Sequence, residues 1–246
     1  MTRDLRRATR YTGRVTTSRP SFRAGLVDVA PVLVGLVPFA LVLGALAAAK
    51  GMSPLAVMLM SGLVFAGGSQ FAAVELWRDP VPVGVLALMA LLVNSRHLLM
   101  GAALAPRAAG WGGRAWPALF FMADEVWALA LRRAGGGPVG LAYWMGLGLG
   151  LWANWVALTV LGAWAGAAVR DPTRLGFDFA FVAVFLALLR GMWRGTATAL
   201  PWAASGLVAA LVHATVPGPW YVAAGALTGL AVAVLAARPE EAVAGA

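Results

Sequence analysis

The most demanding residue in this sequence is an arginine inside an apolar run. Asn94-Ser95-Arg96-His97 stands between the apolar stretches 81–93 and 98–105, and an arginine at the centre of a bilayer costs roughly 2.5–3.5 kcal/mol on insertion scales. Such a charge needs a partner. On a continuous helix Asn94 and His97 share a face at i, i+3, while Arg96 points elsewhere, towards a carboxylate of the protein or of a substrate. In the alternative reading the helix ends here at the interface and Arg96 snorkels to the head groups. Carboxylates follow at Asp124-Glu125, two adjacent acids in the short apolar stretch 115–131. Neighbours in a helix differ by about 100° around its axis, so both cannot face one partner. One is expected to pair with Arg96, and the other to carry a proton between the two sides of the membrane, because a carboxyl withdrawn from water keeps its proton more readily. A purely structural ion pair is the simpler alternative.

A third polar interruption is Phe65-Ala66-Gly67-Gly68-Ser69-Gln70-Phe71. Two adjacent glycines lower helix propensity by roughly 2 kcal/mol relative to alanine, so an unwound stretch is expected here. A broken helix exposes backbone N–H and C=O groups, and its half-helix end can hold a substrate carboxylate or ammonium. The alternative is a tight helix crossing with Ser69 bonded back to its own helix. These interruptions, around Gly67 to Gln70 and Asn94 to His97, are expected to converge near mid-membrane, since irregular backbone at that depth is tolerated only against protein or a water-filled cavity. A different chemistry also fits: Gly67-Gly68-Ser69-Gln70 matches the G-x-S-x pattern of intramembrane serine proteases, with His97 as base, which would require contact at about 2.6–3.2 Å. That reading leaves Arg96 and the acid pair unexplained. Weaker signals are Asp28, Glu75, Asn154, Asp178 and Arg190, with Glu75 placed at an interfacial end and Asp178 at a helix start. With no cysteine and two histidines, no metal site or other cofactor is expected.

The elements that must position these groups are membrane helices. Of the 246 residues, 61% are hydrophobic and 12% charged, with a mean hydropathy of +0.81, a balance no soluble surface of this size could accommodate. The expectation is an all-α, polytopic membrane protein. Spans need about 20 apolar residues, and the punctuation by Gly, Pro and Arg allows seven or eight: 26–49, 55–77, 81–105, 115–131, 139–169, 177–193, 196–215 and 219–237. The fifth is long enough to be tilted or broken. Ala45-Leu46-Ala47 resembles a signal cleavage site, but the run before it is too long and carries Asp28, so it is read as a retained first span.

Seven arginines fall in the first 23 positions, opposed only by Asp4. They point to a disordered cytoplasmic tail over 1–24, held inside by the positive-inside rule, rather than to a nucleic-acid partner. One transport domain is expected over 25–238 and a short tail over 239–246. Eight crossings would place Arg78, Arg132, Arg133, Arg190 and Arg194 inside and Lys50, Arg107, Arg114, Arg170 and Arg174 outside. The tie suggests that some segment re-enters instead of crossing.

The same residues carry a family resemblance. Pro31 followed by Gly35-Leu36-Val37-Pro38-Phe39, FAGGSQFA from Phe65, NSRHLLMGAAL from Asn94, DEVWAL from Asp124 and LGFDFAFVAVFLALL from Leu175 resemble the AzlC family of branched-chain amino acid permeases, in order and spacing over roughly 25–190. The resemblance implies a multi-pass protein of a bacterial inner or plasma membrane. It would be the large subunit of an exporter of valine, leucine, isoleucine and methionine, working with a small AzlD-type membrane subunit. Gly68 stands where Ala or Ser is frequent in the family, and Ala123 replaces a frequent Thr. A carrier of another small solute is the alternative, because apolar pockets discriminate a methylene by only about 1–3 kcal/mol.

Overall fold

The computed structural model describes residues 21–167, 199–216 and 220–236, together with Leu186, Arg190, Trp193 and Gly195. The basic tail up to residue 20, Asp178 and most of the candidate span 177–193 lie outside the described residues. Every regular element among the described residues is helical.

Two long helices form the scaffold. Helix α1, Phe22–Ala49, is opened by Ser21, whose side chain accepts from the Ala24 N–H at 3.3 Å, so it starts at Phe22 rather than at 26. The fifth long segment is unbroken: α8 runs over Leu141–Ala167. At 1.5 Å per residue each is about 40 Å long, enough to cross a hydrocarbon layer of about 30 Å. They lie side by side and run in the same direction, Gly25 against Gly146 near their starts and Gly44 and Ala45 against Thr159, Gly162 and Gly166 farther along. A methyl group on Gly44 would strike the carbonyl oxygen of Thr159, and one on Gly162 that of Leu41. Lipid supplies no hydrophobic drive between helices, so close backbone approach over small residues is what holds such a pair.

The stretch expected as the second span is broken and folds back on itself. Helix α2, Pro54–Val64, ends at Phe65, whose backbone is left-handed (φ 42, ψ 46), and α3, Gly67–Glu75, starts after the extended Ala66. Straight continuation would carry Glu75 about 30 Å from the start of α2. Instead Lys50 Nζ, at the end of α1, donates to the Glu75 carbonyl at 3.0 Å. The chain therefore dips into the bundle from the end where α1 finishes and returns to it.

Helices α4, Val83–Asn94, and α5, Arg96–Leu104, are joined by Ser95 in helical conformation (φ −55, ψ −27), so with the following tight turn Val83–Arg107 forms one continuous span. It reaches the end where α1 begins, since the Val139 N–H just ahead of α8 donates to the Arg107 carbonyl at 2.9 Å. The expected fourth span is then a second re-entrant hairpin. Helix α6, Ala115–Leu119, climbs along α8, with Ala118 at Trp144 and Phe121 at Gly148. Helix α7, Asp124–Ala134, descends along α5, with Trp127 Nε1 donating to the Met100 carbonyl at 3.0 Å, and ends with Arg133 on Asp28 of α1. The crossings expected for 55–77 and 115–131 are thus replaced by opposed hairpins. Five and eleven residues in α6 and α7 are too short to traverse the layer in any case.

Re-entry redistributes the charges of the described residues 21–167: Arg23, Arg107, Arg114, Arg132 and Arg133 gather at the end where α1 begins, whereas Lys50 and Arg78 lie at the other. Farther along the chain, α9, Ala199–Thr215, and α10, Trp220–Ala236, make an antiparallel pair, with Gly225 and Gly229 against Ser205 and the His213 ring 4.9 Å from that of Tyr221.

Candidate functional site

The turning points of the two hairpins meet. Phe65 of the first and Phe120 of the second have ring centroids 6.4 Å apart. Trp152 of α8 joins them, its Nε1 donating to the Gly62 carbonyl at 3.0 Å while its ring lies edge-on to Phe121 at 6.3 Å. A left-handed backbone at a bulky residue such as Phe65 costs of order 1–3 kcal/mol and persists only where its surroundings fix it. Here Phe65 is buried.

The glycines expected to unwind do not. Gly67 and Gly68 form the first turn of α3, and the break lies just ahead of them at Phe65-Ala66. Gly67 allows close approach, since a Cβ there would come within 3.1 Å of the Trp155 ring, whereas one on Gly68 would make ordinary contact with Arg96 Nη2 at 3.7 Å. Ala66 gives α3 no side-chain cap and its first turn holds no acid, so the amino end of α3 presents free N–H groups and a positive partial charge. Ser69 Oγ donates to the Ala66 carbonyl at 2.9 Å and accepts from Asn94 Nδ2 at 3.2 Å. The polar stretches around Gly67 to Gln70 and Asn94 to His97 therefore do converge.

Arg96 Nη1 pairs with Asp124 Oδ2 at 2.8 Å, with 45% and 48% of the two side chains accessible. Asp124 and Glu125 lie in the first turn of α7, at the start of a helix rather than in the interior of one as the sequence suggested. The extended Ala123 starts the helix immediately ahead of them, and a carboxylate at that position complements the helix dipole. Glu125 is half-buried and forms no ion pair among the described residues. Asn94 Oδ1 is buried without a hydrogen-bond partner. An orphaned buried acceptor beside a half-accessible ion pair and an uncapped helix start is suited to a small ligand with both donors and acceptors. His97 Nδ1 lies 3.0 Å from the Asn94 carbonyl. The Ser69 hydroxyl is engaged as described, and no Ser69–His97 hydrogen bond exists among the described residues to support a nucleophile and base.

Gln70 belongs to a buried network that the sequence reading missed. Its Oε1 accepts from Trp155 Nε1 at 2.8 Å and its Nε2 donates to Ser61 Oγ at 3.3 Å, while Thr159 Oγ1 lies 2.9 Å from Ser61 Oγ. Trp155 and Thr159 stand four residues apart on one face of α8, a spacing that could have marked them. Asp28 was also undervalued: Arg133 Nη1 and Tyr143 OH donate to its Oδ2 at 2.9 and 2.7 Å. Asn154 Nδ2 reaches the Leu33 carbonyl at 3.4 Å, within the scaffold pair. Arg190, at the surface, has no described role in the site.

Residues 31–169, which contain both hairpins and the Arg96–Asp124 pair, match the family model described as AzlC protein. The chain belongs to the AzlC family. A membrane protein of Archaeoglobus fulgidus is 32% identical over 68% of this chain and 74% of its own length. The inner membrane protein YgaZ of Escherichia coli is 27% identical over 90% of this chain and 94% of its own. The branched-chain amino acid transport protein AzlC of Bacillus subtilis is 26% identical over 70% and 68%. No solved structure matches. For this AzlC-family chain the matched region thus includes every element that forms the tip-to-tip site.

Proposed function

We propose that this protein is a secondary transporter related to the branched-chain amino acid transport proteins, exporting valine, leucine and isoleucine in exchange for protons. Working with a small AzlD-type membrane subunit is part of the proposal and rests on the family. The observation that carries the reading is the Arg96–Asp124 pair at the facing tips of two hairpins that penetrate from opposite ends. A zwitterion brings one carboxylate and one ammonium into a site that must answer both. Arg96 and the N–H groups at the start of α3 are suited to the carboxylate; Asn94 Oδ1 and Asp124 are suited to the ammonium. Substrate binding would then open the Arg96–Asp124 pair, and Asp124 or Glu125 would take up the proton.

Opposed hairpins also supply a route for alternating access, one closing the site from each end. The basic end is assigned to the cytoplasm by the positive-inside rule. Efflux of labelled valine from loaded proteoliposomes, driven by a pH gradient and measured with and without the small subunit, tests the proposal. Saturable valine flux that collapses with the gradient is expected; absence of amino-acid flux in both preparations refutes it.

A further inference from the structure

Residues 54–107 and 115–167 repeat one plan in opposite directions: each is a re-entrant hairpin followed by a span, and the hairpins enter from opposite ends. In each, the second half-helix starts without a side-chain cap after an alanine out of helical conformation, Ala66 (φ −141, ψ 87) and Ala123 (φ −119, ψ 164). Pro82-Val83-Gly84 then opens one span and Pro138-Val139-Gly140 the other, and the prolines follow those alanines at separations that differ by a single residue. The contacts between the units repeat as well. Gly67, the first residue of α3, meets the Trp155 ring of α8, as Asp124, the first of α7, meets Arg96 of α5. Gln70, the fourth of α3, accepts from Trp155 Nε1, and Trp127, the fourth of α7, donates to the Met100 carbonyl. Counted from the two prolines, Trp155 falls at a level between Arg96 and Met100. Reversed direction with exchanged contacts is the mark of inverted repeats about an axis in the membrane plane. The equivalent contacts are not equally closed. Ser61, Gln70 and Thr159 are buried, and Phe65 at the first tip is 6% exposed. Across the axis the Arg96 and Asp124 side chains are 45% and 48% accessible, and Phe120 at the second tip is 41% exposed.

We propose that the two units are inverted repeats whose hairpins exchange roles as gates. The first hairpin is shut here, latched to α8 by the Gln70–Trp155 and Ser61–Thr159 contacts, and substrate enters past the second, from the end where α1 begins. The inference rests on the transport reading above. In carriers built from such repeats one repeat moves against the other around a fixed site, so the opposite state requires the first hairpin to release α8 and the second to seal on α5. Hydrogen bonds suit a reversible latch, because water entering the opened gap replaces them at small net cost.

Ser61 Oγ and Thr159 Oγ1 are 2.9 Å apart across the latch, and the chain has no cysteine, so the double variant Ser61→Cys, Thr159→Cys can be oxidised to tie α2 to α8. Reconstituted as for the valine assay, the reduced double variant should carry valine, oxidation should abolish the flux, and dithiothreitol should restore it. Valine should still bind the oxidised protein in detergent with the affinity of the reduced form. Undiminished flux in fully cross-linked protein overturns the gate. Loss of binding on cross-linking overturns it too, since the latched form would then not be the one that accepts substrate. If the pair fails to fold or to cross-link, a single cysteine at Ala66 decides. Its reaction with an impermeant maleimide applied from the end where α1 finishes should rise about two- to tenfold on adding Gln70→Leu, the shift in a gating equilibrium expected from one lost hydrogen bond. An unchanged rate overturns the proposal. A parent that carries no valine refutes the transport reading, whereas the Ala66→Cys rate still tests the gate.

Discussion

Phe65 and Phe120 lie with ring centroids 6.4 Å apart, although the hairpins that carry them come from opposite ends of the bundle. Their contact defines a level at which the chain is irregular from both sides, and the Arg96–Asp124 pair lies beside it on α5 and α7. Half-helices offer free backbone groups only at such a level, and the scaffold of α1 and α8 is what fixes it.

Labelling should reveal the re-entry directly. The chain has no cysteine, so single cysteines at Gly51, Arg78, Arg114 and Gly136 can each be probed with an impermeant maleimide. Gly51 and Arg78 should react from one side of the membrane, and Arg114 and Gly136 from the other. Reaction of Gly51 and Arg78 from opposite sides would mean that α2 and α3 cross the membrane.

The scaffold should resist enlargement at its contact points. Gly44→Val and Gly162→Leu each drive a side chain into the backbone of the partner helix, and overpacking of a close-packed interface costs about 1–3 kcal/mol or more. Thermal unfolding in detergent should begin at markedly lower temperature for both. Gly35→Ala, where a Cβ meets nothing within 4 Å, should leave it near the parent value.

The polar residues were legible in the sequence for a reason the structure makes concrete. Arg96 in a lipid-facing stretch demands a carboxylate, and Asp124 and Glu125 are adjacent acids set in a neighbouring apolar stretch. The direction of α2 and α3 was not legible, because hydropathy reports the length of an apolar run and not its path; the reversal depends on a left-handed Phe65 that no propensity singles out. Gly67 and Gly68 marked the neighbourhood of the break and missed its position, since both are helical and Gly67 serves approach to the Trp155 ring. Asp28 was undervalued because its partners lie 105 and 115 residues away in sequence.

The buried network behind the tips should matter for stability. Trp155→Phe leaves Gln70 Oε1 without its donor, and an unsatisfied buried acceptor costs about 1–3 kcal/mol. The midpoint of thermal unfolding should fall accordingly. Adding Gln70→Leu removes the orphaned group, so the double variant should lose less than the two single losses added together.

The base of the second hairpin is tied to the scaffold through Asp28, Arg133 and Tyr143. An accessible ion pair of this kind is worth about 0.2–1 kcal/mol, so Asp28→Asn should raise the reactivity of a cysteine at Ala134 by at most about fivefold. Reactivity that is unchanged or lowered would show that α7 is held by packing alone.

Coupling offers the sharpest test of the site. Three ionisable groups, Arg96, Asp124 and Glu125, stand in segments where each is expensive, and only two are paired with each other. Asp124→Asn or Glu125→Gln, whichever removes the proton carrier, should abolish net transport driven by a pH gradient; Glu125→Gln should leave exchange of internal for external substrate in place, because exchange needs no net proton movement, whereas Asp124→Asn should also raise KM in exchange, because Asp124 faces the ammonium. Arg96→Ala should instead weaken binding itself, raising KM in exchange as well as in net flux, since it removes the charge that holds the carboxylate. If both carboxamide variants keep the parent's pH-driven flux, the proton travels by another group, with Glu75 and Asp178 the next to replace. If Arg96→Ala binds substrate as the parent does, its pairing with Asp124 is structural, and the carboxylate must be held by the start of α3 without it.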